Sequence, residues 1–135
     1  MFLRYKGKTI LRWFPKKAST AFTAGELVTA DGSGNVKPAT STSTSIVGVC
    51  RSTVASTDTT NDLIAIEVPV EPTVEWNALT SGATASNVGL AYDLTDANTV
   101  NLGATAVKIV TVVGVISATQ VRVVINGMFD TVPAV

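Results

Sequence analysis

The sequence predicts a small all-β protein, a β-sandwich or barrel made of two pseudo-repeated β-units and preceded by an extended N-terminal arm. Three observations carry this prediction. The 135-residue chain is 46% hydrophobic but only 6% aromatic, so Val, Ile, Leu and Ala supply most of its apolar mass. Threonine occurs 20 times, and β-branched side chains favour extended backbone. No window of helical length keeps an i, i+3, i+4 apolar stripe.

Four runs have the composition of strands, each bounded by Gly, Asn, Ser or Thr: residues 26–30, 63–70, 107–116 and 121–125. In the second run, the even positions from Ile64 to Val70 form one apolar face opposite Glu67, which predicts a half-buried strand, and Pro69 predicts a position at a sheet edge. The third run is apolar on both faces, which predicts a strand covered on each side, as in a closed barrel or a subunit interface.

The chain also resembles itself at a spacing of about 64 residues. Val36 matches Val100 at an offset of 64, and Gly48 matches Gly114 at an offset of 66. We therefore expect two half-units, at about 21–75 and 76–129, that close one domain together because neither half covers its own apolar face. The alternative is chance similarity within a chain rich in Val, Gly and Thr.

Charge is distributed unevenly along the chain. The formal net charge is zero, yet six of the ten basic residues lie in the first seventeen positions, which contain no acidic residue. We interpret residues 1–20 as an extended basic and aromatic arm, separated by Pro15 from a single β domain at 21–135. An arm of one sign on a body of the other indicates an electrostatic partner.

The arm holds the candidate binding residues, in which aromatic and basic side chains interleave. We predict that it binds a partner through nine residues: Phe2, Arg4, Tyr5, Lys6, Lys8, Ile10, Arg12, Trp13 and Phe14. Aromatic residues and Arg supply most hot spots of protein interfaces, which favours protein docking. The same pattern can stack bases and neutralise phosphates, so nucleic acid remains an alternative. A merely solubilising tail is the third possibility.

The chain lacks the residues of most catalytic and metal sites. It has no histidine and one cysteine, Cys50, which excludes histidine-dependent triads and structural zinc. Glu67, Glu71 and Glu75 would lie about 13 Å apart in an extended chain, so we assign them to a solvated face rather than to a carboxylate pair. We predict no enzyme activity, no cofactor, no metal and no small-molecule substrate.

Two further features bear on location. The basic start of the chain lacks the apolar run of a secretory signal. The longest apolar stretch, 106–118, is shorter than a membrane span and contains Lys108. We therefore expect a protein made in a cytoplasm, without a membrane partner.

One family shares the order of these motifs. The run from Thr23 to Val28, a short Gly/Asn turn, Val-Gly-Val around Gly48, a Thr-rich loop and an apolar strand together resemble the capsid decoration, or cement, proteins of tailed bacteriophages. The first half is similar to the lambda-type head decoration protein. The resemblance covers about residues 20–129.

This resemblance implies a viral structural protein with a β-tulip-like domain, often trimeric. Such a protein would bind the major capsid protein on the outer surface of the head and stabilise the shell, with a terminal arm reaching neighbouring subunits. Its location would be the virion, after synthesis in the host cytoplasm. Other locations in the particle, such as a head fibre or the tail, remain alternatives. The basic, aromatic arm departs from the polar, Pro/Gly-rich arms common in that family.

Overall fold

The computed structural model describes residues 1–126, and these form an all-β protein, as predicted. The expected bounds 21–135 and 76–129 therefore extend partly outside the described residues. These 126 residues contain eleven strands and one turn of 3₁₀ helix, at Ala85–Asn87. The strands are β1 Leu3–Lys6, β2 Thr9–Pro15, β3 Leu27–Ala30, β4 Val36–Pro38, β5 Gly48–Cys50, β6 Leu63–Pro69, β7 Glu75–Leu79, β8 Ala91–Asp96, β9 Thr99–Asn101, β10 Val110–Ser117 and β11 Gln120–Ile125.

The first sheet closes into a small barrel. Its strand order is β2-β6-β5-β3-β4, and the end of β2 returns to β4 through a parallel bridge between Lys16 and Val36. The amide of Lys17 donates to the carbonyl of Val36 at 2.9 Å. Closure removes most sheet edges and encloses one buried cluster: Phe22, Val28, Val36, Val47, Cys50, Ile64, Ile66 and Val68.

The second sheet repeats this arrangement. Its order is β1-β7-β11-β10-β8-β9, and β7 also pairs in parallel with β9, where Leu79 lies opposite Thr99. Without β1, the strands follow the first barrel one for one: β7 corresponds to β2, β11 to β6, β10 to β5, β8 to β3 and β9 to β4. Two similar units therefore build the protein, as the sequence predicted.

The unit boundaries differ from the expected ones. The first unit begins at β2 and spans residues 9–69, and the second spans 75–125. Val36 and Val100 do occupy equivalent positions, opposite Ala30 and Leu94. The match of Gly48 with Gly114 is wrong.

Hydrogen-bond register identifies the true counterpart of Gly48. Gly48 lies opposite Val28 on β3, and the corresponding residue opposite Tyr92 on β8 is Val110. The offset changes from 64 to 62 because the segment from Val100 to Val110 is two residues shorter than the segment from Val36 to Gly48. Gly114 instead lies at an irregularity in the β10–β11 pairing.

The two units pack into one body along β3 and β5. Leu27 and Val49 belong to the same buried cluster as Trp76 and Val110 of the second unit. The amide of Leu27 also donates to the carbonyl of Ala97, in the β8–β9 turn, at 2.9 Å. Apolar packing and a backbone hydrogen bond thus join the units.

The predicted separate arm is corrected by the strand pairing. β1 is antiparallel to β7, and β2 pairs with β6 along its whole length, from Thr9 opposite Pro69 to Pro15 opposite Leu63. Residues 1–20 are thus part of the body, and Pro15 ends β2 instead of separating an arm. Intramolecular pairing prevails because it buries Phe2 completely and satisfies the backbone of β7.

The predicted edge position of the strand at 63–70 is also corrected. β6 lies between β2 and β5 rather than at an edge, and six of its seven residues are buried. Its two faces are buried because the barrel core covers one and polar side chains of neighbouring strands cover the other. In β10, Val113 and Ile116 are 40% and 43% exposed, so residues 1–126 do not cover both faces of that strand, and its cover by a subunit interface stays a prediction.

Candidate functional site: an apolar patch on β2 and β6

An exposed apolar patch lies on the outer surface of the first barrel. Leu11, Trp13 and Leu63 are 60%, 61% and 60% exposed, and we call these three residues the β2–β6 patch. Leu11 and Trp13 lie two residues apart and so share one face of β2. Leu63 starts the neighbouring strand, opposite Pro15. A tryptophan exposed in the middle of a paired strand is a feature that points to binding.

Alternation along β2 explains why these side chains face outwards. Phe14 follows Trp13, is half-buried and packs against the barrel core. By alternation, Ile10 and Arg12 lie on the same face of β2 as Phe14, and Ile10 is 37% exposed. The barrel needs only one apolar face of β2, so the apolar residues on the other face have no role in this core.

The remaining predicted aromatic residues lie elsewhere. Phe2 is fully buried between the units. Tyr5 is 49% exposed, and the guanidinium of Arg122 lies 3.7 Å from its ring centroid, a cation–π contact. The structure therefore brings Leu11 and Trp13 together with Leu63, and it uses Phe2 and Tyr5 for contacts within the chain.

The predicted basic residues are spread over β1, β2 and the turn between them. Lys6, Lys8 and Arg12 are exposed, and Arg12 lies between Leu11 and Trp13, so it faces away from the patch. Arg4 has its Nε 3.4 Å from Oε2 of Glu67, and Glu67 lies opposite Leu11 in the strand pairing.

Glu67 lies beneath this region and is buried, so its prediction as part of a solvated face is wrong. It is 8% exposed and accepts hydrogen bonds from Thr9 Oγ1 at 2.6 Å and from Arg51 Nε at 2.7 Å. Arg51 Nη2 also donates to the same carboxylate. With Arg4 of β1 on the other side, Glu67 is bound by residues of β1, of β2 and of the segment after β5, which compensates its desolvation.

Lys16 is a structural residue rather than a surface charge. It is 1% exposed, and its Nζ donates to the carbonyl of Thr60 at 2.6 Å and contacts the carboxylate of Asp58 at 3.4 Å. These two contacts connect the loop before β6 to the residue that follows β2. Of the six basic residues near the N-terminus, this one is unavailable to a partner.

The polar residues considered for chemistry are engaged in structure. Cys50 is buried, and burial raises the pKa of its thiol. Within residues 1–126, no group of three or more His, Cys, Asp or Glu side chains is placed to hold a metal ion. Among those residues there is also no helix with the length and hydrophobicity needed to span a bilayer.

In comparisons with known proteins, no protein-family model matches the chain, and no curated protein matches it.

The β2–β6 patch could be predicted only in part from the sequence. Leu11 lies two residues before Trp13, so in a strand the two side chains share one face. This spacing could have identified Leu11, but the predicted binding residues include Trp13 and omit Leu11. Leu63 joins them only through the pairing of β2 with β6, in which it lies opposite Pro15, 48 positions away along the chain.

Proposed function

We propose that the protein is a viral structural protein, a decoration protein that binds the outer surface of a tailed-phage head and stabilises the shell of major capsid protein. The observation that carries the proposal is the β2–β6 patch, with its exposed Trp13, on an all-β body of two similar units. The order of sequence motifs supports the same class of function. The mechanism is passive: the protein adds contacts to a surface.

The energetics suit such a role. Tryptophan and neighbouring apolar residues dominate binding energy at protein interfaces, whereas exposed charges at the rim mainly set orientation and association rate. A patch of three apolar side chains gives one copy only a modest affinity. Repetition over a symmetric shell multiplies that contribution, and trimeric assembly would increase it further through avidity.

A trimer is part of the proposal, and it would use a different surface. Val113 and Ile116 of β10 are partly exposed on the second barrel. Contact between copies through these residues would leave the β2–β6 patch available to the shell.

The geometry supports nucleic-acid binding less well than docking to protein. Phe2 and Lys16 are buried, and Arg4 is paired with Glu67. Tyr5 is stacked with Arg122. Of the aromatic residues proposed to stack on bases, Trp13 retains the exposed face that such stacking requires.

The direct test is co-sedimentation with expanded, empty shells assembled from the major capsid protein encoded in the same genome. We expect saturable binding of the full chain and an increase in the temperature at which the shells disassemble. Absence of binding to these shells, with binding instead to purified tails or fibres, would reject the proposed location. A gel shift with duplex DNA at low salt would favour the nucleic-acid alternative.

A further inference from the structure

The internal repeat gives the two units an equivalent face, marked by a glycine in each. Gly25 and Gly89 both have positive φ, +95° and +86°. Gly25 donates its amide to Cys50 O, and Gly89 donates its amide to Val112 O, each at 2.8 Å. Each acceptor is the third residue of its strand, β5 or β10. The two glycines therefore occupy the same position in their units.

In the first unit, this face is covered by the second unit. We call residues 25–27 and their counterparts 89–91 the joining faces. Leu27 is fully buried in the cluster that includes Trp76 of the second unit. Its amide donates to the carbonyl of Ala97, in the β8–β9 turn, at 2.9 Å. The first joining face thus connects the two units, and the β8–β9 turn receives it.

In the second unit, the described residues leave the joining face open. Apart from its chain neighbours, none of their atoms lies within 4 Å of the position that a Cβ at Gly89 would take, and Leu90 is 52% exposed. Ala91 stands where the first unit has the larger Leu27. A cavity of about 270 Å³ lies there, lined by Gly89, Leu90, Ala91, Tyr92, Thr105 and Lys108. The second joining face is therefore a hollow with one cationic side chain in its wall.

The first unit has its own copy of the turn that accepts Leu27. Because Val36 and Val100 are equivalent, this copy is the segment 31–35. Its tip, residues 32–34, is exposed. We call this segment and the β8–β9 turn the receiving turns. The chain unites its units with one joining face and one receiving turn, and the other turn and the other face are left exposed among the described residues.

The exposed turn and the open face carry opposite charges. Asp31 lies in the turn, and its carboxylate accepts hydrogen bonds from the amides of Ser33 at 2.7 Å and Asn35 at 3.1 Å. These bonds lower its pKa, so it is ionised at neutral pH. Lys108 lines the hollow of the joining face. Opposite charges on two such surfaces favour their contact and select its orientation.

We propose that a second copy of this chain packs head to tail, with its receiving turn 31–35 against the joining face 89–91. The interface repeats between chains the contact that unites the two units within one chain. It is heterologous, so each copy binds two neighbours through different faces, and copies close into a ring when the rotation between them allows it. A ring of three would be the trimer of the proposed function. The inference rests on the internal repeat and not on shell binding.

Complementation between two variants tests this arrangement. Leu90→Arg fills the hollow of the joining face, and Ser33→Arg brings a cation from the turn towards Lys108. Both positions are exposed, so folding should be retained. We expect the wild type to associate in sedimentation velocity and each variant alone to be monomeric, because every interface then has one altered side. An equimolar mixture should form a heterodimer and nothing larger, since it offers one unaltered face and one unaltered turn.

Leu79→Arg is the matched control, at a 44% exposed position of the second unit, and it should associate as the wild type does. A wild type that stays monomeric up to its solubility limit would overturn the proposal. So would a mixture without heterodimer, or variants that associate as strongly as the wild type, which would indicate an isologous contact elsewhere. The assay contains no shells, so its result is independent of the co-sedimentation test.

Discussion

Arg4 and Glu67 form an ion pair, with Nε and Oε2 3.4 Å apart, that joins the first strand of the chain to the centre of the first barrel. Because β1 itself pairs with β7 of the second barrel, this contact spans the two sheets. Glu67 is also bound by Arg51 and Thr9. Its carboxylate is therefore a junction between the N-terminal strands and the body.

Removal of the Glu67 charge should destabilise the fold. We expect Glu67→Gln to lower the free energy of unfolding by about 2–4 kcal/mol, because it leaves the half-buried Arg51 without its counter-ion. Glu71→Gln is the matched control, since Glu71 is exposed and accepts one backbone hydrogen bond, from Lys8 at 3.2 Å; its effect should stay within about 1 kcal/mol. Urea unfolding measures both, and equal effects would contradict the proposed junction.

Changes in the β2–β6 patch should separate binding from stability. The double variant Leu11→Ser, Trp13→Ser should weaken shell binding by about 30-fold or more, because a hot spot contributes about 2 kcal/mol. Its unfolding free energy should change by less than about 1 kcal/mol, since both residues are exposed. Leu79→Ser, at a 44% exposed position of the second barrel, should bind normally in the same co-sedimentation assay. A patch variant that binds as well as the wild type would refute this role.

Lys16 should matter for folding and not for binding. We expect Lys16→Met to destabilise the protein by about 1–3 kcal/mol, because the carbonyl of Thr60 and the carboxylate of Asp58 lose their buried donor. Lys17→Met, at the adjacent exposed position, should have an effect below about 0.5 kcal/mol. Chemical denaturation measures the difference. Similar small effects for both variants would show that the buried ammonium contributes little.

Gly48 and Gly114 should respond differently to alanine. A Cβ at Gly48 would meet the carbonyl oxygen of Glu67 and lie 2.7 Å from Ile66 Cγ2, whereas at Gly114 the nearest contact is 3.7 Å, with Arg122. Gly48→Ala should therefore cost at least about 2 kcal/mol by forcing β5 away from β6. Gly114→Ala should change stability by less than about 1 kcal/mol. Thermal unfolding of the two variants tests whether their environments differ as described.

Asp93 should make stability depend on pH in the acidic range. Its carboxylate accepts backbone hydrogen bonds from Lys108, Val107 and Ala106, at 2.7–3.1 Å, and these bonds lower its pKa in the folded protein. The unfolded chain therefore binds the proton first as pH falls. The stabilisation is present at neutral pH and is lost below the ordinary carboxyl pKa, towards the lower folded value.

The corresponding variant isolates this contribution. Asp93→Asn should be less stable than the wild type at neutral pH, and the difference should shrink as the pH falls through the acidic range. Urea unfolding from about pH 7 to about pH 3 measures it. A difference that stays constant over that range would show that ionisation of Asp93 does not contribute.

Local sequence could predict strands but not their neighbours. The runs at 63–70 and 121–125 correspond closely to β6 and β11 because alternation and β-branched composition act over a few residues. The N-terminal segment was misread as an arm because its charges and aromatic residues suggested an external partner. Burial of Phe2 and Lys16 depends on residues more than twenty positions away, which no local pattern contains.

The sequence by itself determined the all-β class, the duplicated plan and the equivalence of Val36 and Val100, because strand composition and repeat spacing are properties of the linear chain. Only the tertiary structure decided that β1 and β2 belong to different sheets, that Glu67 is buried and that Leu63 lies beside Trp13's strand to form an exposed patch. These outcomes follow from which strands pair, and long-range pairing is selected by the burial that the whole fold achieves.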